Sequence, residues 1–482
     1  MYHDHCHHFF QETDMDDQNT KRLPFGVKLG YGAAELSNSL TWTLFFVVFL
    51  YFLTDVVGLN PAFAGFIMMI GKLWDAVTDP FIGIWSDKSR SRFGRRRPFL
   101  LGIAVPFGII TWLLFTDFGF GAGGTKVYFA IVTIVYFTIF TMLDVPYTAL
   151  AAEMTQDYNE RTGLISYRAL WCQIASIVAA ALPWVFVEWL TIKTGGNEKL
   201  AWSIMTGIFG FFCIFFILWT WRATRGYELF PEETRIRLRD ITRDVLRNKT
   251  FLYTFGIYTA ANVALTVGAT VLVYFMIYYM NLNETQQSIA FLFLFALTIV
   301  WIPAITKISE VKGKRWAFII FIGVWALVQG VGGLMVRPDT LIFFYVLAAL
   351  ASGGVISVTM TGWSMIPDVV EVDEYKTGQR REGLYFAFFS FSRKVSVAIA
   401  VWLVGQVLNW IQYVPEVYPQ APGAELGIRL LYAEGTAVFL VLAMVLAYLL
   451  PMTKGKHDAL RAAIAEKRDG KTPDESGFKD LL

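Results

Sequence analysis

Phe99-Leu-Leu-Gly-Ile-Ala-Val-Pro-Phe-Gly-Ile-Ile-Thr-Trp-Leu-Leu-Phe115 contains no ionisable side chain. A helix that is apolar all round has no face to offer water. It suits a bilayer, where about 20 apolar residues span the hydrocarbon and helical hydrogen bonds satisfy every backbone group. Gln286–Thr306 and Gly435–Leu450 are equally free of charge. Working outward from these runs gives twelve expected spans. Six lie near 27–53, 61–86, 98–117, 126–152, 168–190 and 201–222, and six near 251–281, 286–307, 315–336, 339–366, 383–412 and 428–451. The stretch 61–86 is the one that charges interrupt, so it is where the count is most exposed to error.

Composition agrees. The 482 residues are 55% hydrophobic, 16% aromatic and 17% charged, with 42 Phe and 16 Trp; mean hydropathy is +0.49. A soluble fold of this size has too little interior to hide that much apolar surface. A net charge of +2 offers no general reason to expect nucleic acid as a partner. Three cysteines, Cys6, Cys172 and Cys213, are too few and scattered for a disulfide framework or a cysteine metal site. The reading is an all-α polytopic membrane protein.

Residues 1–24 are polar and lack the apolar region of a cleavable signal peptide, so none is expected. They hold His3, His5, His7 and His8 beside Cys6, a tract of metal-binding composition that reads more simply as a tail. The fifth histidine, His457, falls in the charged tail 453–482, leaving carboxylates as the groups for any intramembrane proton chemistry. Basic residues accumulate in cytoplasmic loops. Six Lys or Arg lie between 88 and 97, and Lys307, Lys312, Lys314, Arg315, Lys376, Arg380 and Arg381 follow spans eight and ten, whereas 54–61 and 281–286 have none. Both termini are therefore expected in the cytoplasm of a multi-pass plasma (inner) membrane protein. A central loop, 223–250, separates six-span halves at 25–222 and 251–452, and the spacing of Ile236, Leu238, Ile241, Val245 and Leu246 predicts a short interfacial helix. Gly94-Arg-Arg96 after span two is echoed by Gly313-Lys-Arg315 after span eight. Two six-helix halves with a site at the midplane is a recurring transporter plan.

Chemistry concentrates where charge interrupts the spans. An ionisable group there costs about 2.5–3.5 kcal/mol on insertion scales, so each needs a partner or a task. In span two, Asp75 and Asp79 share a helical face with Lys72 three residues before, and Thr78 adds a hydroxyl. Two carboxylates so placed suit Na⁺, or a shared proton; a Lys72–Asp75 ion pair accounts for one acid and not for both. Asp144 in span four is followed by Pro146, which frees a carbonyl, and by Tyr147. Arg168 opens span five with a planar donor fork for a carboxylate or paired hydroxyls, and an Asp144–Arg168 bridge is the simpler role. Arg393-Lys394 interrupts span eleven, one of them expected to face a cavity. Glu35, Ser37, Asn38 and Ser39 form a polar cluster in span one, with Glu35 expected near a helix end where its charge costs little. Trp42, Tyr147, Trp171 and Tyr385 are aromatic surfaces for a sugar face, although most aromatics in such helices only pack or anchor.

At these residues the sequence resembles the glycoside–pentoside–hexuronide:cation symporters, the melibiose-carrier branch of the major facilitator superfamily. The carriers of the match are Leu29-Gly-Tyr-Gly32, Tyr51-Phe-Leu-Thr-Asp-Val-Val-Gly-Leu59, Trp74-Asp-Ala-Val-Thr-Asp-Pro80, Ser89-Arg-Ser-Arg-Phe-Gly94 and Asp144-Val-Pro-Tyr147. Asp157-Tyr-Asn-Glu-Arg161 with Arg168, Asp368-Val-Val-Glu-Val-Asp-Glu-Tyr-Lys-Thr-Gly378 and Glu382-Gly-Leu384 complete it. Gly94-Arg-Arg-Arg-Pro98 also looks like a loop of eukaryotic sucrose:proton symporters. The resemblance implies the major facilitator fold, twelve helices in two six-helix bundles, and symport of a sugar or glycoside with Na⁺, Li⁺ or H⁺ by a monomer without cofactor. By position it assigns the cation to Asp75, Thr78, Asp79 and Thr141, and the substrate to Asp144, Arg168 and Lys394. Asn38, Ser39, Tyr147 and Thr148 join the substrate residues, with Glu35, Lys72 and Arg393 as additional charges. Asn38-Ser39 stands where melibiose carriers have Lys-Asp, Thr148 where they have Trp, and Thr78 where Asn is frequent. These departures point to another glycoside, a monosaccharide or a hexuronide.

Two other classes are kept in view. A lipid carrier of the same fold would need long apolar side openings, and a receptor or scaffold leaves the paired acids of span two unexplained. A membrane enzyme is not expected: the spans contain no histidine for a metal site or a nucleophile's base, and the loops no phosphate-cradling glycine motif.

Overall fold

The computed structural model describes residues 22–91, 93–155, 157–227, 248–415, 417–468, 473 and 475–481. The His/Cys tract, Arg92 of the basic loop and the helix expected within 234–247 lie outside the described residues. Apart from one isolated bridge between Ser91 and Gly94, every regular element among the described residues is helical.

Eleven of these helices are long and apolar enough to cross a membrane. They are α1 (Phe25–Val56), α3 (Arg97–Leu114), α4 (Gly121–Met154), α5 (Tyr158–Lys193) and α6 (Glu198–Ala223), then α7 (Lys249–Tyr279), α8 (Glu284–Lys312), α9 (Lys314–Met335), α10 (Leu341–Thr377), α11 (Glu382–Trp410) and α12 (Pro422–Leu449). The remaining expected span forms as α2, an unbroken helix over Pro61–Lys88. Its Lys72, Asp75 and Asp79 lower its apolar character without breaking it, because charge affects where a helix is comfortable far more than whether its backbone can coil. An amphipathic helix, α13, follows at Lys454–Arg468.

Helix starts are written in short polar side chains. Asp157 accepts from the Glu160 amide at 2.8 Å and Asn197 from the Leu200 amide at 3.0 Å. Asn283 and Gln286 cap α8 reciprocally. Each such cap is worth about 1 kcal/mol and fixes where the chain turns into the membrane.

The chain forms two compact units. One takes the described residues to Leu44, Val77–Ala179 and those from Phe186 to Tyr227; the other takes Phe45–Ala76, Ala180–Val185 and the described residues from Asn248 onward. In the first unit α1 seats on α6, where the Thr220 hydroxyl donates to the Gly30 carbonyl at 2.7 Å and accepts from the Ala34 amide at 2.8 Å. Arg96 links Asp87 and Glu153, at 2.8 and 2.6 Å, and Arg97 donates to the Trp221 carbonyl at 2.8 Å. Basic residues that read as a loop signal are therefore also structural ties.

In the second unit the stretch Phe45–Ala76 packs with α7 and α11. A side chain on Gly405 would stand 2.5 Å from the Pro61 carbonyl, and one on Gly65 2.9 Å from the Val401 carbonyl, so backbones meet there directly. Thr270 donates to the Phe46 carbonyl at 3.0 Å.

The internal echo proves deeper than its sequence. Gly94 and Gly313 both take a positive φ, 93° and 91°. In each unit the basic residues after that glycine reach an acid near the end of α4 or α10: Arg96 to Glu153, and Lys314 to Asp368 at 2.6 Å. Helices α1 and α7 also end alike, in a widened π-type turn. The Val57 amide bonds the Phe52 carbonyl at 2.9 Å and Leu59 bonds Leu53 at 2.8 Å; Met280 bonds Phe275 at 2.9 Å and Leu282 bonds Met276 at 3.0 Å.

Candidate substrate and cation sites

The first unit gathers one polar cluster from three helices. On α1, Glu35, Asn38 and Ser39 follow one another around little more than a turn, and all are buried. Ser39 donates to Glu35 at 2.7 Å, and Asn38 donates its amide N–H to Asp144 on α4 at 2.9 Å. Arg168 on α5 gives its Nε to the second oxygen of Glu35, its Nη1 to Thr148 at 3.0 Å, and sets its Nη2 3.7 Å from Asp144. Thr148 lies 3.5 Å from the same Asp144 oxygen. The guanidinium stands 5.0 Å above the ring of Tyr147, whose hydroxyl donates to the Tyr31 carbonyl at 3.0 Å. Tyr147 itself has no exposed surface, so it supports Arg168 from beneath. Helix α4 runs through Pro146 unbroken.

The side chains of Asp144 and Arg168 keep 30% and 24% of their surface exposed, and Thr148 is open. The expectation for Glu35 is corrected here. It does not sit cheaply at a helix end; it is buried and is the shorter of the two carboxylate partners of Arg168.

In the second unit, Asp75 is wholly buried and engaged by two ammonium groups. Lys72 reaches its Oδ2 at 2.5 Å and Lys394 the same oxygen at 2.8 Å. Lys394 also lies 3.4 Å from the Asp75 carbonyl, and Lys72 5.7 Å from the centre of the Phe46 ring. The internal Lys72–Asp75 pair therefore forms, and a lysine distant in sequence joins it. Arg393, the neighbour of Lys394, is half-buried. The other residues expected to serve a cation belong to the first unit: Thr78 and Thr141 hydroxyls meet at 3.1 Å, and Asp79 is half-buried one helical turn after Asp75. Trp42 rests on Phe140 and Trp171 on Phe216, both half-buried, whereas Tyr385 is sealed among Phe251 and its neighbours and serves as packing.

Two ionic clusters escaped the sequence reading. Asp55, buried where α1 ends, accepts hydroxyl bonds from Thr54 at 2.5 Å and from Tyr278 and Tyr413. The cost argument applied to Asp75 would have flagged it, since Asp55 ends an equally apolar run. His457, read as tail, meets Glu371 at 2.7 Å and Asp368 at 3.5 Å. Those acids hold its pKa above the ordinary imidazole value, chiefly through the Glu371 hydrogen bond.

Residues 30–454 match the family described as MFS/sugar transport protein. The chain belongs to that family. It is similar to an uncharacterised symporter of Synechocystis, 30% identical over 93% of this chain and 98% of the relative. It is also similar to a putative glycoside/cation symporter of Escherichia coli, at 25% identity over 92% and 95%. The solved structure of a bacterial homologue of the lysosomal transporter Spinster shares its fold, with TM-score 0.64 and 16% identity over 91% of this chain and 99% of that one. The family member described here is thus a polytopic membrane transporter of symporter type with the major facilitator fold, and not an enzyme.

Proposed function

We propose that this transporter carries a sugar or glycoside across the plasma membrane together with Na⁺ or H⁺, by alternating access. Residues 25–222 and 251–452 act as its six-helix halves, with both termini and 223–250 cytoplasmic. Asp144, Arg168, Thr148 and Asn38 contact the hydroxyl-rich substrate; Asp75, Thr78, Asp79 and Thr141 serve the cation.

The observation that carries the coupling is Asp75 held between Lys72 and Lys394. Each buried ion carries a desolvation cost of several kcal/mol, so three of them gathered on one oxygen call for a task. The second ammonium has a physical use if it exchanges with the coupling ion: a cation or proton that takes Asp75 releases Lys394, and Lys394 returns when the ion leaves. Because the two compete for one oxygen, ion occupancy and lysine position are linked. A substrate that favours the ion-bound arrangement raises ion affinity by the factor by which the ion raises its own.

The test is binding of a glycoside panel to purified protein with and without Na⁺ across pH. Na⁺-dependent tightening is expected for a sodium carrier, and pH dependence alone for a proton carrier. Replacing Asp75 by Cys should abolish cation-driven accumulation; uphill uptake retained by that variant refutes the assignment.

A further inference from the structure

We infer that Glu35 sets the charge class of the substrate: by occupying Arg168 it reserves the site for neutral polyhydroxy compounds and turns away uronates and other anionic sugars. This rests on the sugar-carrier reading above and narrows it.

Arg168 is the natural receptor for an anionic sugar, since a guanidinium fork fits a carboxylate. Here each of its three nitrogens already faces a partner. Nε goes to Glu35, Nη1 to Thr148 at 3.0 Å, and Nη2 faces Asp144 at 3.7 Å. Two carboxylates against one guanidinium leave the cluster at a formal charge of −1. An entering carboxylate would have to displace Glu35, itself buried and secured by Ser39 at 2.7 Å, or lie beside both acids away from bulk water. Like charges so confined repel strongly and act as a filter against the wrong ligand.

The open hydrogen-bonding capacity points the same way. The carboxylate of Asp144 fixes the orientation of the Asn38 amide, which turns its N–H toward that acid at 2.9 Å. Asn38 is 93% buried, and its carbonyl oxygen has no partner among the described residues. A buried acceptor left unpaired is costly, and a hydroxyl would satisfy it. Asp144 supplies further acceptor positions. The cluster thus calls for O–H donors, which neutral sugars bring in adjacent pairs.

Glu35 is accordingly a positioning residue, acting through Arg168. The experiment compares matched pairs differing only at C6, methyl glucoside with methyl glucuronide and methyl galactoside with methyl galacturonide, on full-length protein, Glu35→Gln and Glu35→Asp. Wild type and Glu35→Asp should bind the better neutral partner about 10-fold or more tightly than its uronide. Glu35→Gln should shrink or invert that ratio by gaining uronide affinity. Simple structural damage lowers both affinities and leaves the ratio alone. A wild type that prefers uronides, or an unchanged ratio in Glu35→Gln, overturns the inference. Were Glu35→Gln not to fold, the wild-type ratio alone still decides against it when it favours the uronide. Binding of none of the four compounds, with other glycosides bound, removes this inference and spares the sugar reading; no glycoside binding at all removes both.

Discussion

The two charged clusters solve the same problem by opposite means. Around Asp75 everything is sealed, and one carboxylate is engaged by two lysines. Around Arg168 one guanidinium faces two carboxylates, leaving −1, and part of the cluster is open. In this conformation a sealed charge is matched by ions of the protein itself. An open one can be completed by a ligand. Under the proposed mechanism the sealed carboxylate trades a lysine for the coupling ion, whereas unfilled hydrogen bonding in the open cluster suits a hydroxylated solute.

The sharpest way to break this contrast is Asp75→Asn, which removes the buried charge that Lys72 and Lys394 both engage. It should cost about 3–5 kcal/mol of stability, read as a fall in the unfolding midpoint of purified protein. Adding Lys394→Met should recover much of that loss, while ion-driven uptake stays lost. Full stability of the single variant would mean that the cluster is not sealed as described.

In the open cluster, Arg168→Lys keeps the charge and loses the fork. Glycoside affinity should fall about 10–100-fold with a stability change under about 2 kcal/mol, measured by equilibrium binding and thermal unfolding. A larger stability loss than Asp75→Asn would reverse the proposed division of roles.

Asp55 sharpens the comparison, being a sealed carboxylate that accepts from three hydroxyls. Asp55→Asn should cost about 1–3 kcal/mol, less than Asp75→Asn, since no unpaired charge is left behind. Equal costs would show that burial matters more than charge matching.

The smallest effect is expected at His457, a half-buried group outside the spans. Its pKa is raised in the folded protein, so its contribution to the docking of α13 is complete below about 6.5, the ordinary imidazole value, and is lost as pH rises through the folded value. The distance between spin labels on Gln379 and Ala462 should broaden as pH rises. His457→Ala should remove that pH response, at a cost under about 1 kcal/mol.

Much of the fold was legible because hydropathy and helical period are local properties. Phe99–Phe115 needed no partner to declare itself a span. Even α2, which its charges made uncertain, forms in full, since helical hydrogen bonds do not depend on what Lys72 or Asp75 later meet. The internal echo was visible only as a basic turn after Gly94 and Gly313. The matching π-type turns of α1 and α7 were not, because backbone hydrogen-bond register leaves little mark on side-chain pattern. The candidate groups were also legible, as charges where charge is expensive. Glu35 was undervalued because depth along a helix is invisible until its neighbours are placed. Asp55 was overlooked because it stands at the end of its run, where a charge looks solvated.

By itself the sequence determined that this is a membrane transporter of the MFS/sugar transport family, which helices cross, and which residues bear unusual charge. The family follows from the match over residues 30–454, and the crossings and charges from composition and spacings of three to twenty residues. Only the tertiary structure decided the partners: Lys394 lies 319 positions from Asp75, and Arg168 133 from Glu35. Electrostatic energy depends on distance through space and on access to water, and a linear string of residues specifies neither.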